Sequence, residues 1–116
     1  MNKRDKLALL NILDTIEEMD AHCRRERCGT VKQFLDNTIL KRAIAMCIIS
    51  LSEMTMGFSE DFRFNHPHID TSQFRALRNL AAHNFGAINF SKLWDAYSID
   101  IPHLRRQLQR ALDDDL

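Results

Sequence analysis

Residues 30–56 constrain the fold more than any other stretch. Thr30 followed by Gln33 forms a capping box, in which each side chain satisfies a backbone N–H of the first helical turn. From Ala43 to Leu51 the chain is apolar almost all round: Ala43, Ile44, Ala45, Met46, Cys47, Ile48, Ile49 and Leu51. A helix without a polar face must be covered on more than one side, so this segment predicts a central helix. Read as one rod from Thr30 to Met56, it would be near 40 Å long, at about 1.5 Å per residue. Lys41, Arg42, Ser50, Ser52 and Glu53 are its polar exceptions, and Glu53 is the one that could face a site.

The flanking segments supply the cover. Leu9, Ile12, Leu13, Ile16 and Met19 recur at helical spacing and predict an amphipathic helix over about 5–22. Residues 23–29 read as a polar connection ending in Gly29. Gly57 stops the central helix, and Ser59 with Glu60 and Asp61 caps a short one anchored by Phe62 and Phe64. Asn65-His66-Pro67-His68 reads as a surface loop. Asp70 then opens a further helix, with Gln73 completing a capping box and Ile69 and Phe74 placed as a hydrophobic staple. Phe74, Leu77 and Ala81 form its inner stripe, and Gly86 is its natural stop.

The last segment carries Trp94, Tyr97, Ile101, Leu104, Leu108 and Ala111 at spacings of three and four. Pro102 should push Ile101 out of the helical region, giving two short helices of about 89–97 and 101–112, kinked and nearly coaxial. Asp113, Asp114 and Asp115 oppose the helix dipole there and should fray. The expected fold is therefore all-α: an up-and-down bundle of four to five helices with a kinked C-terminal segment, one domain over residues 1–116.

Composition narrows the function. Sixteen basic and sixteen acidic residues give zero formal charge, so no global field draws in nucleic acid, and any such role rests on a local patch. Three cysteines make no disulfide framework, Cys23 and Cys28 lack a second metal-binding pair, and no metal or cofactor is expected. Residues 1–6 lack the apolar core of a signal peptide, and the apolar run of residues 43–51 is too short to span a bilayer. The expected location is cytoplasmic, with no membrane partner.

Chemistry concentrates at Arg78-Asn79-Leu80-Ala81-Ala82-His83-Asn84-Phe85-Gly86. Arginine can grip two phosphate oxygens, and histidine titrates near neutral pH. Such a pair suits RNA cleavage, because RNA carries its own nucleophile, the 2′-hydroxyl. A base must deprotonate that oxygen and a cation must stabilise charge on the phosphorus. Arg78 and His83 lie roughly 140° apart around an ideal helix, while Arg75, Arg78, Asn79 and His83 make a broad polar arc. Convergence on one phosphate therefore needs either a helix end that re-aims His83 or a second copy of the helix. By spacing alone, a solvated helix end in a plain helical interaction domain is the better explanation of the arc.

The stretch resembles the signature of HEPN-superfamily proteins, in which arginine, four residues, histidine, one residue and tyrosine follow in order. The resemblance is to the HepT-like toxin branch in particular, which favours the Arg78-Asn79 pair. The flanks are similar too: Pro67-His68-Ile69, Ile88-Asn89, Trp94, Asp100-Ile101-Pro102-His103-Leu104, and Glu53 near the end of the second long helix. The resemblance implies a metal-independent endoribonuclease, with Arg78 and His83 catalytic and Asn79, Arg75 and Glu53 supporting or binding RNA. It also implies a homodimer with motif helices from both subunits lining one cleft, and a small nucleotidyltransferase antitoxin as partner. In some family members that partner attaches AMP to the motif tyrosine. Here Phe85 stands at that position, so silencing through it has no hydroxyl to use. The alternative function is a non-catalytic subunit that binds a nucleotide or the nucleotidyltransferase.

Overall fold

A computed structural model describes residues 1–82 and 88–115, with the backbone alone at 71, 74 and 82. Four long helices build it: α1 (Lys3–Arg25), α3 (Thr38–Thr55), α5 (Thr71–Ala82) and α7 (Ile101–Asp114). Shorter α2 (Val31–Asp36), α4 (Glu60–Asn65) and α6 (Phe90–Asp95) join them, and a π-helical turn at Ala96–Asp100 links α6 to α7. Among the described residues there is no strand. The chain is an all-α bundle.

The apolar segment is central, as expected. α3 packs against α1 on one side and α5 on the other, and α1 in turn packs against α7. Ile44, Ile48 and Leu51 of α3 are sealed with Leu9, Ile12 and Ile16 of α1, and with Leu104 and Leu108 of α7. The helix is not one rod from residue 30, however. Asn37 takes an extended conformation and its side chain accepts the Leu40 N–H at 2.9 Å, so it stops α2 and caps α3. An asparagine that satisfies the next helix start competes successfully with continued helix. The Thr30–Gln33 capping box stands at the head of α2. Two polar side chains of α3, Ser52 and Thr55, are buried and bond back to the Ile48 and Ser52 carbonyls. Met46, expected inside, is 63% exposed.

α1 is longer than its pattern suggested. Asn2 caps it, and it runs through Cys23, which is core rather than connection. It ends in a Schellman motif: Cys28 N–H bonds to the Cys23 carbonyl at 2.9 Å and Arg27 N–H to the Arg24 carbonyl at 3.1 Å. Arg27 sits at φ 51°, a left-handed position where glycine is usual.

Further differences arise at the helix ends. Phe62 is buried but Phe64 is 85% exposed, because one turn of α4 can face the core with only one of them. Asp70 accepts from the N–H and hydroxyl of Ser72, and the Gln73 N–H bonds to the Asp70 carbonyl at 3.2 Å. The Phe74 half of the staple and the Gly86 stop lie outside the described residues.

Pro102 does not break the last segment. Ile101 is helical (φ −63°, ψ −43°), and its N–H reaches five residues back to the Ala96 carbonyl. The wider π turn carries the chain into α7 with proline in the first turn, where its missing N–H costs little. Leu93 faces the core in place of Trp94, which lies half-buried against Phe34 with ring centroids 5.2 Å apart. α7 continues through Asp114, and Asp115 lies 3.9 Å from Lys6, so this end is held rather than frayed.

Candidate functional site

α5 presents the candidate site because its opposite side is held against α3. Leu77 and Ala81 are buried, Leu80 is half-buried, and the polar residues necessarily point away. Arg75 and Asn79 are exposed. Arg78 is only partly exposed, and its Nε is buried with no hydrogen-bond partner among the described residues. The expected arc on α5 thus has one arginine drawn inward and two solvated neighbours. Glu53, on α3, is exposed. His83 and Phe85 lie outside the described residues, so their geometry relative to Arg78 is not part of the structure.

Two clefts flank this helix. At its start, a cleft of about 230 Å³ is lined by Thr55, Met56, Arg63, Ser72 and Arg75. Two guanidinium groups sharing one open cleft suit a phosphate, since each offers several donors in a fixed plane. Arg63 Nη2 donates to the Met56 carbonyl at 3.4 Å, which tethers α4 to the end of α3. Sequence reasoning missed Arg63, because its acidic neighbours Glu60 and Asp61 dominated the reading of that helix. Only packing brings α4 alongside the start of α5.

The second cleft, about 270 Å³ and mostly apolar, is lined by Arg42, Ala45, Met46, Ile49, Ala81, Ile88 and Phe90. It lies between α3 and the end of α5. The Lys41 ammonium sits 4.8 Å from the centre of the Phe90 ring. Exposed Met46 on the cleft and 79%-exposed Ile39, about two turns earlier, leave part of α3 without cover among the described residues.

Tyr97 lies in the α6–α7 segment rather than near α5. Its hydroxyl donates to Asp20 at 2.6 Å, and Arg105 donates to the other oxygen of that carboxylate at 2.8 Å. Burial, reinforced by this acceptor, pushes the phenol well above its ordinary pKa. It is a structural tyrosine joined to α1.

The family model described as "Ribonuclease HepT-like" matches residues 11–111, from α1 to near the end of α7. Two candidate RNases of Methanocaldococcus jannaschii are similar over nearly the whole chain. One is 24% identical over 98% of this chain and 93% of its own length. The other is 23% identical over 98% and 97% respectively. A candidate RNase of Caldanaerobacter subterraneus is 20% identical over 84% of this chain and 87% of its own. No solved structure matches. The match runs through the four long helices and the Arg78–His83 stretch, and the chain therefore belongs to the HepT-like ribonuclease family.

Proposed function

We propose that the protein is a metal-independent endoribonuclease toxin that cuts RNA with Arg78 and His83 at the cleft of a homodimer. The observation that carries this reading is the family match across residues 11–111, which includes the whole arginine–histidine stretch. His83 takes the proton of the 2′-hydroxyl as that oxygen attacks phosphorus, and a proton is returned to the leaving 5′-oxygen. Arg78 stabilises the charge that develops on the phosphoryl oxygens. Asn79, Arg75 and Glu53 line the approach, and Arg63 joins Arg75 in holding a neighbouring phosphate.

The dimer is supported by the part of α3 that is uncovered among the described residues. Ile39 and Met46 are exposed beside the apolar cleft that reaches Ala81 on α5. A second copy laid there brings two motif helices together and supplies the convergence that 140° on one helix denies. The regulatory partner in this reading is a small nucleotidyltransferase antitoxin, acting by sequestration because Phe85 offers no hydroxyl.

The test is cleavage of single-stranded RNA by the purified chain in EDTA, compared with Arg78→Ala and His83→Ala of unchanged helicity. Both variants should be inactive. Activity that survives in His83→Ala would overturn the assignment. A stable complex with the nucleotidyltransferase, with no cleavage at any concentration, would favour the non-catalytic binding subunit.

A further inference from the structure

Away from α5, three side chains with metal-binding atoms meet between α1 and α3. Glu18 and His22 are four residues apart on α1, so they share one face, and Cys47 comes from α3. The Cys47 Sγ donates to Glu18 Oε2 at 3.6 Å, and His22 Nε2 is 3.8 Å from Glu18 Oε1. One ligand atom from each lies within 4.8 Å of the other two, the one such group of three among the described residues. In a tetrahedral zinc site, with bonds of about 2.0–2.3 Å, neighbouring ligand atoms stand roughly 3.3–3.8 Å apart. The Glu18 carboxylate already stands at that spacing from both partners, through Oε2 to Cys47 and through Oε1 to His22. Bringing one carboxylate oxygen, the thiol sulfur and an imidazole nitrogen from within 4.8 Å of one another to that spacing needs about an ångström of side-chain movement, which exposed Glu18 and half-buried His22 can supply.

We propose that Glu18, His22 and Cys47 form a binding site for a thiophilic divalent ion of the Zn²⁺ or Co²⁺ type. Sulfur, imidazole and carboxylate together select such ions over Mg²⁺ or Ca²⁺, which take oxygen. Three protein ligands leave the fourth position to water. On binding, the Cys47 S–H bond breaks, the S–metal bond forms, and one proton leaves to solvent. Arg25 Nη2 approaches His22 Nδ1 at 3.3 Å. When Nε2 takes the metal, Nδ1 carries the proton, and the exposed Arg25 turns to solvent. The ion ties α1 to α3 at mid-bundle, far along the chain from Arg78, and its role is to stabilise the fold rather than to cut RNA.

The test uses protein first stripped with EDTA and then titrated with Co²⁺. One equivalent should bind, with a thiolate-to-cobalt charge-transfer band and tetrahedral visible bands that Zn²⁺ abolishes. Zn²⁺ should raise the melting temperature of the wild type. The solvent-accessible variants Glu18→Gln and His22→Gln, which keep the fold, should bind roughly 10–100-fold more weakly. Cys47→Ser should lose the charge-transfer band, whereas a Cys23→Ser/Cys28→Ser double variant should keep it. Absence of the band in the wild type, or its survival in Cys47→Ser, would overturn the proposal. So would unchanged affinity in His22→Gln.

Discussion

The Ser59 backbone N–H and hydroxyl both donate to the carboxylate of Asp5, which is only 2% exposed. The contact spans 54 positions and ties the start of α1 to the cap of α4. The same Ser59 oxygen accepts the Phe62 N–H at 3.1 Å, so one carboxylate fixes a cap that fixes a helix. Removing it leaves two inward-facing donors without a partner. Asp5→Ala should cost about 2–3 kcal/mol in urea denaturation. Asp5→Ala/Ser59→Ala should cost about 1 kcal/mol more than Asp5→Ala, for the lost cap on the Phe62 N–H, but less than the sum of the two single changes.

Tyr97 and Asp20 make a second long-range tie. Tyr97→Phe keeps the ring and deletes the hydroxyl, while Arg105 still satisfies one oxygen of Asp20. The expected loss is about 1–2 kcal/mol, read from the same denaturation experiment.

Arg27 occupies the left-handed position that ends α1. Arg27→Gly removes the steric conflict of its Cβ and loses some of that gain to the freer unfolded chain. A net stabilisation of about 0.5–1 kcal/mol is expected, seen as a rise of roughly 2–5 °C in Tm.

The proposed chemistry sets Arg78 and His83 apart from Arg63 and Arg75. Loss of either should lower kcat by roughly 10²–10⁴. Exposed Arg75 and Arg63 hold phosphate before and after reaction alike, so Arg63→Ala/Arg75→Ala should raise KM with kcat little changed. Measuring kcat and KM separately on a short RNA distinguishes the two groups.

Phe85 gives the regulatory prediction. With the cognate nucleotidyltransferase and ATP labelled in the α-phosphate, the wild-type chain should remain unlabelled at the motif. Phe85→Tyr restores a phenol there and should accept AMP. Labelling of the wild type at Tyr97 would contradict the structural role given to that residue.

The central placement of Ala43–Leu51 could be read from the sequence, because an all-round apolar helix has no stable position except between neighbours. The inner stripes of α1, α5 and α7 followed from the 3.6-residue period. The break at Asn37 was not read from the sequence, because apolar residues continue at helical spacing across it and only the fold shows its side chain accepting the Leu40 N–H. Pro102 misled for a different reason: a proline that ends an α-helix can be absorbed by a π turn, and only the backbone shows which happens.

The sequence by itself determined the all-α class, the identity of the core helix and the order of the Arg78–His83 stretch, since each rests on local periodicity or on a contiguous motif. Tertiary structure decided what meets across the bundle. It brought Arg63 beside Arg75, closed Tyr97 and Arg105 on Asp20, buried Asp5 under Ser59, and set Cys47 against Glu18 and His22. Those pairings depend on how helices pack in three dimensions, a relationship between residues 29 to 85 positions apart for the hydrogen-bonded ones. No spacing rule along the chain encodes such distances.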